Sequence, residues 1–262
     1  MMTRMIGPRS LLFVVLPGAQ LLDVIGPMEA FEIANRLRLR LRRGKAAPYT
    51  LTLAAPTPEV GTASGVRIVA TPLRRVPPPH TLVIGGSIDL VDSVIPAAVI
   101  DRLSRLARTA ERVVSVCAGA FALGQLDGRR CTTHWLALDQ LRSRFPEARV
   151  ETDAIYTHDG RIYTSAGVTT GIDLALYLIE RDLGSAMALA VARLLVVFLH
   201  RPGGQSQFSA SLQLRAGADQ RMRGLVASIV EQPGADHQVD RLASRVAMSP
   251  ATSRARFATT PG

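Results

Sequence analysis

Short apolar runs alternate with segments of helical periodicity over the first 200 residues of the chain. Residues 11–16 (LLFVVL), 81–86 (TLVIGG) and 113–116 (VVSV) are nearly continuous apolar runs, which are typical of strands buried on both faces of a sheet. Residues 49–55 (YTLTLAA) alternate between apolar and polar positions, and residues 161–164 form one more short run. We predict a strand at each of these runs.

Helical segments separate these strands, with apolar residues recurring three and four positions apart. Pro96 stands in the first turn of one segment, where proline is tolerated, and Thr169 or Thr170 would cap the last one. Strands that alternate with helices are typical of a mostly parallel, doubly wound sheet, so we predict an α/β domain over residues 1–200. The predicted helices are residues 27–37, 95–106, 121–126, 135–145 and 171–183.

The end of the chain has a different composition. Residues 201–218 are rich in proline, glycine, serine and glutamine, which predicts a linker. Residues 219–262 then carry short helical patterns, two of which are separated only by Ala247 and Met248. This spacing predicts a small all-α helix-turn-helix segment. Its predicted helices are residues 221–231, residues 240–246 and one that opens at Ser249 and Pro250.

No segment predicts a membrane span. The apolar run at residues 186–199 has 14 residues and contains Arg193, whereas a bilayer needs ~20 apolar residues, so a core helix is predicted. Residues 11–22 (LLFVVLPGAQLL), preceded by Arg4 and Arg9, imitate a signal peptide, but the break at Pro17-Gly18 favours a buried first strand. Two cysteines without a CxxC spacing predict a reducing, cytoplasmic setting and no disulfide framework.

Arginine dominates the basic residues. The net charge is +10, and Lys45 is the only lysine. Arginine suits phosphate because its planar guanidinium donates two parallel hydrogen bonds. A GC-rich genome would favour arginine equally well, so the charge alone leaves a nucleic-acid partner open. The arginine-rich run at residues 36–43 (RLRLRLRR) is predicted to be a solvated helix end or loop.

Cys117 directly follows the predicted strand at residues 113–116, among residues with almost no side chain. Ligands collect at the carboxyl ends of parallel strands, and a nucleophile on a sharp strand-to-helix turn needs small neighbours, as in the G-x-S-x-G elbow. The free N–H groups of the next helix would lower the pKa of the thiol and bind an anion, and Gly86 would add a backbone donor. The alternative is a buried cysteine that acts as a small apolar residue.

Three motifs resemble the ThiJ/PfpI superfamily, the relatives of class I glutamine amidotransferases. They are residues 117–135 (CAGAFALGQLDGRRCTTHW), residues 21–31 (LLDVIGPMEAF) and residues 164–180 (TSAGVTTGIDLALYLIE). The resemblance covers roughly residues 10 to 200. It implies a flavodoxin-like α/β fold and a homodimer.

The resemblance also implies roles for single residues. Cys117 takes the position of the nucleophilic cysteine, Asp23 that of an acidic residue that hydrogen-bonds it, and His134 that of a nearby histidine. Gly86 and the Ala118 N–H would form an anion-accepting pocket. Asp23 could instead only cap its helix, and His134 could only start one. A late His-x-Glu is absent from the sequence, so amidotransferase activity is not expected, and no cofactor or metal is predicted.

The tail resembles AraC-family regulators of the GlxA type, which carry a ThiJ/PfpI-like domain. Residues 191–209 resemble the junction, and residues 239–257 (VDRLASRVAMSPATSRARF) resemble the first helix-turn-helix. Ser253 stands where leucine is usual, and the family has two such units where this chain has one. We therefore expect a C-terminal truncation, in a fragment or in a shortened regulator. The residues expected to face DNA are Pro250, Ala251, Thr252, Arg254 and Arg256.

The leading hypothesis is a DNA-binding transcriptional regulator whose α/β domain senses a small molecule, dimerises, or does both. One alternative is a ThiJ/PfpI-type enzyme, such as an isonitrile hydratase or a glyoxalase-like enzyme, with Cys117 as thiolate nucleophile and Asp23 or His134 as proton shuttle. The other is a dimeric remnant that neither catalyses nor binds DNA. The small charge of residues 219–262, with six arginines and four acidic residues, predicts a modest affinity for DNA.

Overall fold

A computed structural model describes residues 7–41, 46–199, 204–205, 238–245 and 249. The chain divides into two units, Met1–Pro202 and Gly203–Gly262. The boundaries of the linker and of the helix-turn-helix segment remain predictions. Within the second unit, a helix at Val239–Arg245 coincides with the predicted helix at residues 240–246. The predicted helix at 221–231, all of the predicted last helix except Ser249, and the residues expected to face DNA lie outside the described residues.

The first unit is built around a seven-stranded sheet. The strands of the unit are β1 (Arg9–Val14), β2 (Tyr49–Ala55), β3 (Glu59–Gly61), β4 (Arg67–Val69), β5 (Thr71–Pro72), β6 (Thr81–Ile84), β7 (Arg112–Val116), β8 (Arg130–Cys131), β9 (Arg149–Val150), β10 (Tyr156–Asp159) and β11 (Ile162–Ser165). The helices are α1 (Leu22–Leu41), α2 (Ala97–Thr109), α3 (Ala120–Leu123), α4 (Leu138–Arg144), α5 (Thr170–Leu183) and α6 (Ser185–Leu195), and α7 is Val239–Arg245 of the second unit.

The strand order of the large sheet is β10-β11-β7-β6-β1-β2-β5, and only β10 runs antiparallel to its neighbour. The central order β2-β1-β6-β7-β11 is that of a flavodoxin-like sheet, with its switch point between β1 and β6. In the register of the central strands, Leu11 of β1 pairs with Leu51 of β2 on one side and with Thr81 of β6 on the other. The predicted doubly wound α/β fold is confirmed.

Two helices approach each other closely beside this sheet. A Cβ atom on Gly26 of α1 would lie 3.1 Å from Ile172 Cγ1 of α5, and one on Gly171 would lie 3.0 Å from Pro27 Cγ. Glycine at both positions therefore brings the second turn of α1 next to the start of α5. Pro27 lies inside α1 rather than at its beginning, because the helix already starts at Leu22.

Several elements differ from their predicted form. Strand β10 and the short strands β3, β4, β5, β8 and β9 were not predicted, since runs of two to four residues carry little periodicity. The predicted core helix at 186–199 ends at Leu195 and has apolar residues on both faces. Leu194 and Phe198 are 60% and 72% exposed. Among the described residues, no helix is long and apolar enough to cross a membrane.

A buried ionic cluster lies at the amino ends of the parallel strands. The Asp182 carboxylate of α5, 1% exposed, accepts a hydrogen bond from Arg112 Nη1 at 2.9 Å and is paired with Arg9. The Tyr49 hydroxyl donates to the same carboxylate at 3.2 Å. Arg9, Tyr49 and Arg112 begin β1, β2 and β7, so this one carboxylate ties three strands to α5.

Replacing Asp182 with alanine should lower the free energy of unfolding by about 3–5 kcal/mol, because two arginines would be left partly buried without their counter-charge. Urea denaturation of wild type and variant measures the loss. Asp139→Ala is the matched control, since Asp139 pairs with Arg142 on α4 but is 94% exposed, and its loss should stay within about 0.5 kcal/mol. Equal losses in the two variants would contradict this role for the cluster.

Candidate functional site

Cys117 sits on a strained turn at the carboxyl end of β7. It opens a single 3-10 turn, Cys117–Gly119, with a left-handed φ of 57°. Such a conformation costs a residue other than glycine about 1–3 kcal/mol and is enriched at functional sites. A Cβ atom on Gly119 would lie 2.3 Å from the Ile84 carbonyl oxygen, and one on Gly86 would lie 2.1 Å from the Gly119 nitrogen. Small residues are therefore required on both sides of the turn.

The Asp23 carboxyl group lies beside this thiol and is fully buried. Its Oδ1 accepts a hydrogen bond from the Val168 N–H at 2.5 Å. Burial raises the pKa of Asp23 from 3.8 to about 7, although the Val168 N–H, the Cys117 thiol and the Gly86 N–H each act to lower it. The last two interactions fall short of ordinary hydrogen-bond geometry, so among the described residues Oδ2 has no full hydrogen bond. Among the described residues, the partners of the Asp23 carboxyl group all lie outside α1, so Asp23 does not cap its own helix.

The thiol of Cys117 is held in its protonated form. Burial raises its pKa far above the usual range, and the neighbouring Asp23 charge raises it further, whereas the Ala118 N–H acts to lower it. The expected lowering of the thiol pKa by the following helix is therefore wrong in its net direction. The physical reasons are that Cys117 is 2% exposed and that α3 is only four residues long.

The segment between β11 and α5 closes over the sulfur. Gly167 has a φ of 103°, and a Cβ atom on it would lie 2.9 Å from Cys117 Sγ. Val168, the residue bonded to Asp23, has a φ of 52°, which is rare for a β-branched residue. Thr170 Oγ1 accepts from the Gly167 N–H at 2.7 Å, whereas Thr169 occupies the N-cap position of α5 and its side chain makes no capping hydrogen bond to this helix.

The other predicted site residues are His134, Gly86 and Ala118, and only Ala118 interacts with the thiol among the described residues. His134 Nδ1 accepts from the Leu136 N–H at 3.4 Å and so caps a 3-10 turn. Among the described residues it has no hydrogen bond to Cys117 or Asp23, and burial lowers its pKa. The N–H of Gly86 acts on Asp23 rather than on the sulfur, which leaves Ala118 as the backbone donor at the thiol.

Sequence reasoning did not single out Thr133 or Val168. Thr133 Oγ1 donates to the Cys117 carbonyl oxygen at 2.9 Å, and both residues are buried. The sequence feature that could have pointed to Thr133 is the pair Thr132-Thr133, which stands directly before His134. Cys131, the second cysteine, is fully buried, and burial followed by the nearby Glu151 charge raises its pKa to about 11. The described residues contain no cluster of three metal-ligating side chains.

An acidic side chain on α1, a cysteine on a left-handed turn after β7 and a closing segment before α5 define a class of flavodoxin-like cysteine domains. The profile of the DJ-1/PfpI family matches residues 9–181. The chain belongs to the DJ-1/PfpI family.

Known proteins similar to this chain include regulators and an enzyme. The HTH-type transcriptional regulator CdhR of Pseudomonas aeruginosa is 30% identical over 72% of this chain and 55% of its own length. The regulator GbdR of the same species is 27% identical over 72% of this chain and 51% of its own length. The chain thus spans about half the length of these regulators. The isonitrile hydratase of Pseudomonas putida is 26% identical over 66% of this chain and 71% of its own length.

Solved structures agree with the fold. An AraC family transcriptional regulator from Pseudomonas putida has a TM-score of 0.60 at 22% identity, covering 72% of this chain and all of that chain. A ThiJ/PfpI family protein from Pseudomonas syringae has a TM-score of 0.64 at 21% identity, covering 92% of this chain and 91% of that chain.

The raised pKa of Asp23 predicts a definite pH dependence of stability. The folded chain keeps a proton that the unfolded chain releases near pH 3.8. The stability that this proton contributes is fully present below that pH and is lost as the pH rises through about 7. Relative to Asp23→Asn, wild type should therefore lose stability over this range, with a slope approaching ~1.4 kcal/mol per pH unit.

Urea unfolding of the two proteins between about pH 4 and pH 8 measures this difference, because other titrating groups cancel in the comparison. Asparagine keeps an oxygen for the Val168 N–H but does not titrate in this range. A difference that stays level, or that grows in favour of wild type with rising pH, would show that the pKa of Asp23 is not raised in the folded protein.

Proposed function

We propose that this chain is part of a DNA-binding transcriptional regulator of the GlxA type within the AraC family, with an α/β domain that binds a small molecule. The observation that carries the proposal is the similarity to the regulators CdhR and GbdR, which extends over 72% of this chain. A helix at Val239–Arg245, where the first helix of the DNA-binding motif is expected, also supports it.

We place the ligand site of this proposal at the buried Cys117–Asp23 pair. A protonated thiol is a weak nucleophile, so the raised pKa of Cys117 favours binding over turnover at neutral pH. Ala118 N–H, the thiol and the carboxyl group of Asp23 present polar groups within an apolar, closed site. These groups suit a small uncharged molecule with one or two hydrogen-bonding atoms.

The DNA-binding part of the proposal rests on the sequence. Pro250, Thr252, Arg254 and Arg256 would face DNA, with the arginines contacting phosphates or base edges. We further propose that the protein acts as a homodimer in the cytoplasm, since helix-turn-helix regulators read paired half-sites through a two-fold arrangement.

The adjacency of a thiol and a carboxyl group with a pKa of about 7 favours one second candidate, a cysteine enzyme. Hydration of an isonitrile is the reaction that the similarity to isonitrile hydratase indicates. Cys117 Sγ would bond to the isonitrile carbon while Asp23 carries the thiol proton to the substrate. Water would then add to that carbon and the thiol would leave, so that the net change is the addition of one water to give a formamide.

A fragment of the DNA upstream of the gene should be retarded by the protein at low salt. Arg254→Ala should weaken this binding and reduce the dependence of log K on log salt by about one unit, as expected for a lost phosphate contact. Arg142→Ala removes the same charge from α4 and serves as the control. A mobility-shift assay over a series of salt concentrations measures both. Absence of any shift at low salt would overturn the regulator proposal.

Infrared spectroscopy tests the second candidate, because the loss of the isonitrile absorption band measures the rate of hydration. If the chain is such an enzyme, Cys117→Ser and Asp23→Asn should each reduce the rate by at least about 100-fold, while Cys131→Ser keeps it. A ligand site without turnover predicts no loss of the band with any of these proteins. Activity that survives Cys117→Ser would exclude the thiol mechanism.

A further inference from the structure

The backbone carbonyl of Cys117 has a partner from a distant part of the chain. Thr133 Oγ1 donates to it at 2.9 Å across 16 positions of sequence. The same carbonyl accepts the N–H of Ala120 within the 3-10 turn. Thr133 is fully buried and Cys117 is 2% exposed, so water does not compete for this bond.

The segment that carries Thr133 is itself fixed by buried hydroxyl groups. The Thr132 N–H donates to Thr164 Oγ1 of β11 at 2.7 Å, and Thr164 Oγ1 lies 2.9 Å from Thr157 Oγ1 of β10. Thr132 Oγ1 donates to the Glu151 carbonyl oxygen at 2.9 Å. Because strand β11 pairs with β7, these bonds hold Thr133 in register with the strand that ends directly before Cys117.

A left-handed cysteine persists only where its surroundings hold it there. Gly86 and Gly119 shape the turn by leaving room, but neither bonds to the Cys117 carbonyl. The Ala120 N–H belongs to the turn and would move with it. Among the described residues outside the turn, Thr133 alone hydrogen-bonds to this carbonyl.

We propose that Thr133 is a positioning residue for the Cys117 site: its hydroxyl fixes the carbonyl of the cysteine and so keeps the sulfur beside Asp23 and under Gly167. The inference rests on the proposed role of the Cys117–Asp23 site and assigns the residue that sets its geometry. Loss of the hydroxyl lets the turn relax, and the sulfur then moves away from the carboxyl group and towards solvent.

Mass-resolved alkylation by iodoacetamide tests this in the full chain. At a pH near 8, Cys117 of Thr133→Val should react about tenfold faster than in wild type, as for a thiol pKa that falls by one unit. Thr133→Ser retains the hydroxyl and should restore the wild-type rate and pH profile. If Thr133→Val does not fold, Thr133→Ala replaces it in the same assay.

Two controls separate positioning from general loosening. Cys131 lies two residues from Thr133 and is fully buried, so its alkylation should stay at the wild-type rate. Thr62→Val removes another buried hydroxyl, which donates to the Val66 carbonyl oxygen at 2.9 Å, and should leave Cys117 unchanged. An unchanged Cys117 profile in Thr133→Val, or equal acceleration of both cysteines, overturns the proposal. The alkylation requires neither DNA nor turnover, so its outcome is independent of whether the proposed function holds.

Discussion

The site depends on one interaction, the burial of the Asp23 carboxyl group beside the Cys117 thiol. Each group resists ionisation because water is excluded. The protonated thiol lowers the pKa of Asp23, whereas an ionised Asp23 raises the pKa of the thiol, so the two titrations are coupled. Burial moves the pKa of Asp23 to about 7 and that of the thiol far upward. At neutral pH the thiol therefore keeps its proton while the carboxyl group gains and loses one, which suits ligand binding and proton transfer alike.

Close packing of backbone makes this pairing possible. Cys117 and Val168 both have left-handed φ values, and Gly167 lies against the sulfur. Strain of this kind is stable only inside a well-packed frame. The frame here is the sheet, with the Asp182 cluster at the amino ends of its strands and the cysteine turn at the carboxyl ends. The ionic cluster and the cysteine site thus lie at opposite ends of the strands.

The fold could be predicted from sequence to a large extent. The buried strands are long apolar runs, and the turn at Cys117 is marked by the small residues around it. The site could be predicted only in part. Asp23 and Cys117 lie 94 positions apart in sequence, and it was the family resemblance, not periodicity, that brought them together.

The electrostatics could not be predicted in this way. A helix after the cysteine suggested a low thiol pKa, but burial outweighs four residues of helix. The side-chain contacts of His134 and Thr133 could not be predicted from the sequence either. The histidine has the chemistry expected of a catalytic residue but caps a turn, whereas the threonine beside it bonds to the cysteine. Side-chain direction at a turn depends on backbone angles that single-sequence patterns do not encode.

The most direct test of the central pairing is a carbon-13 NMR titration of the Asp23 carboxyl group in wild type and in Cys117→Ala. We expect a midpoint of about 7 in wild type and a higher midpoint in the variant, because the thiol interaction that lowers the pKa of Asp23 is lost. A midpoint near the ordinary value of 3.8, or the same midpoint in both proteins, would contradict the account.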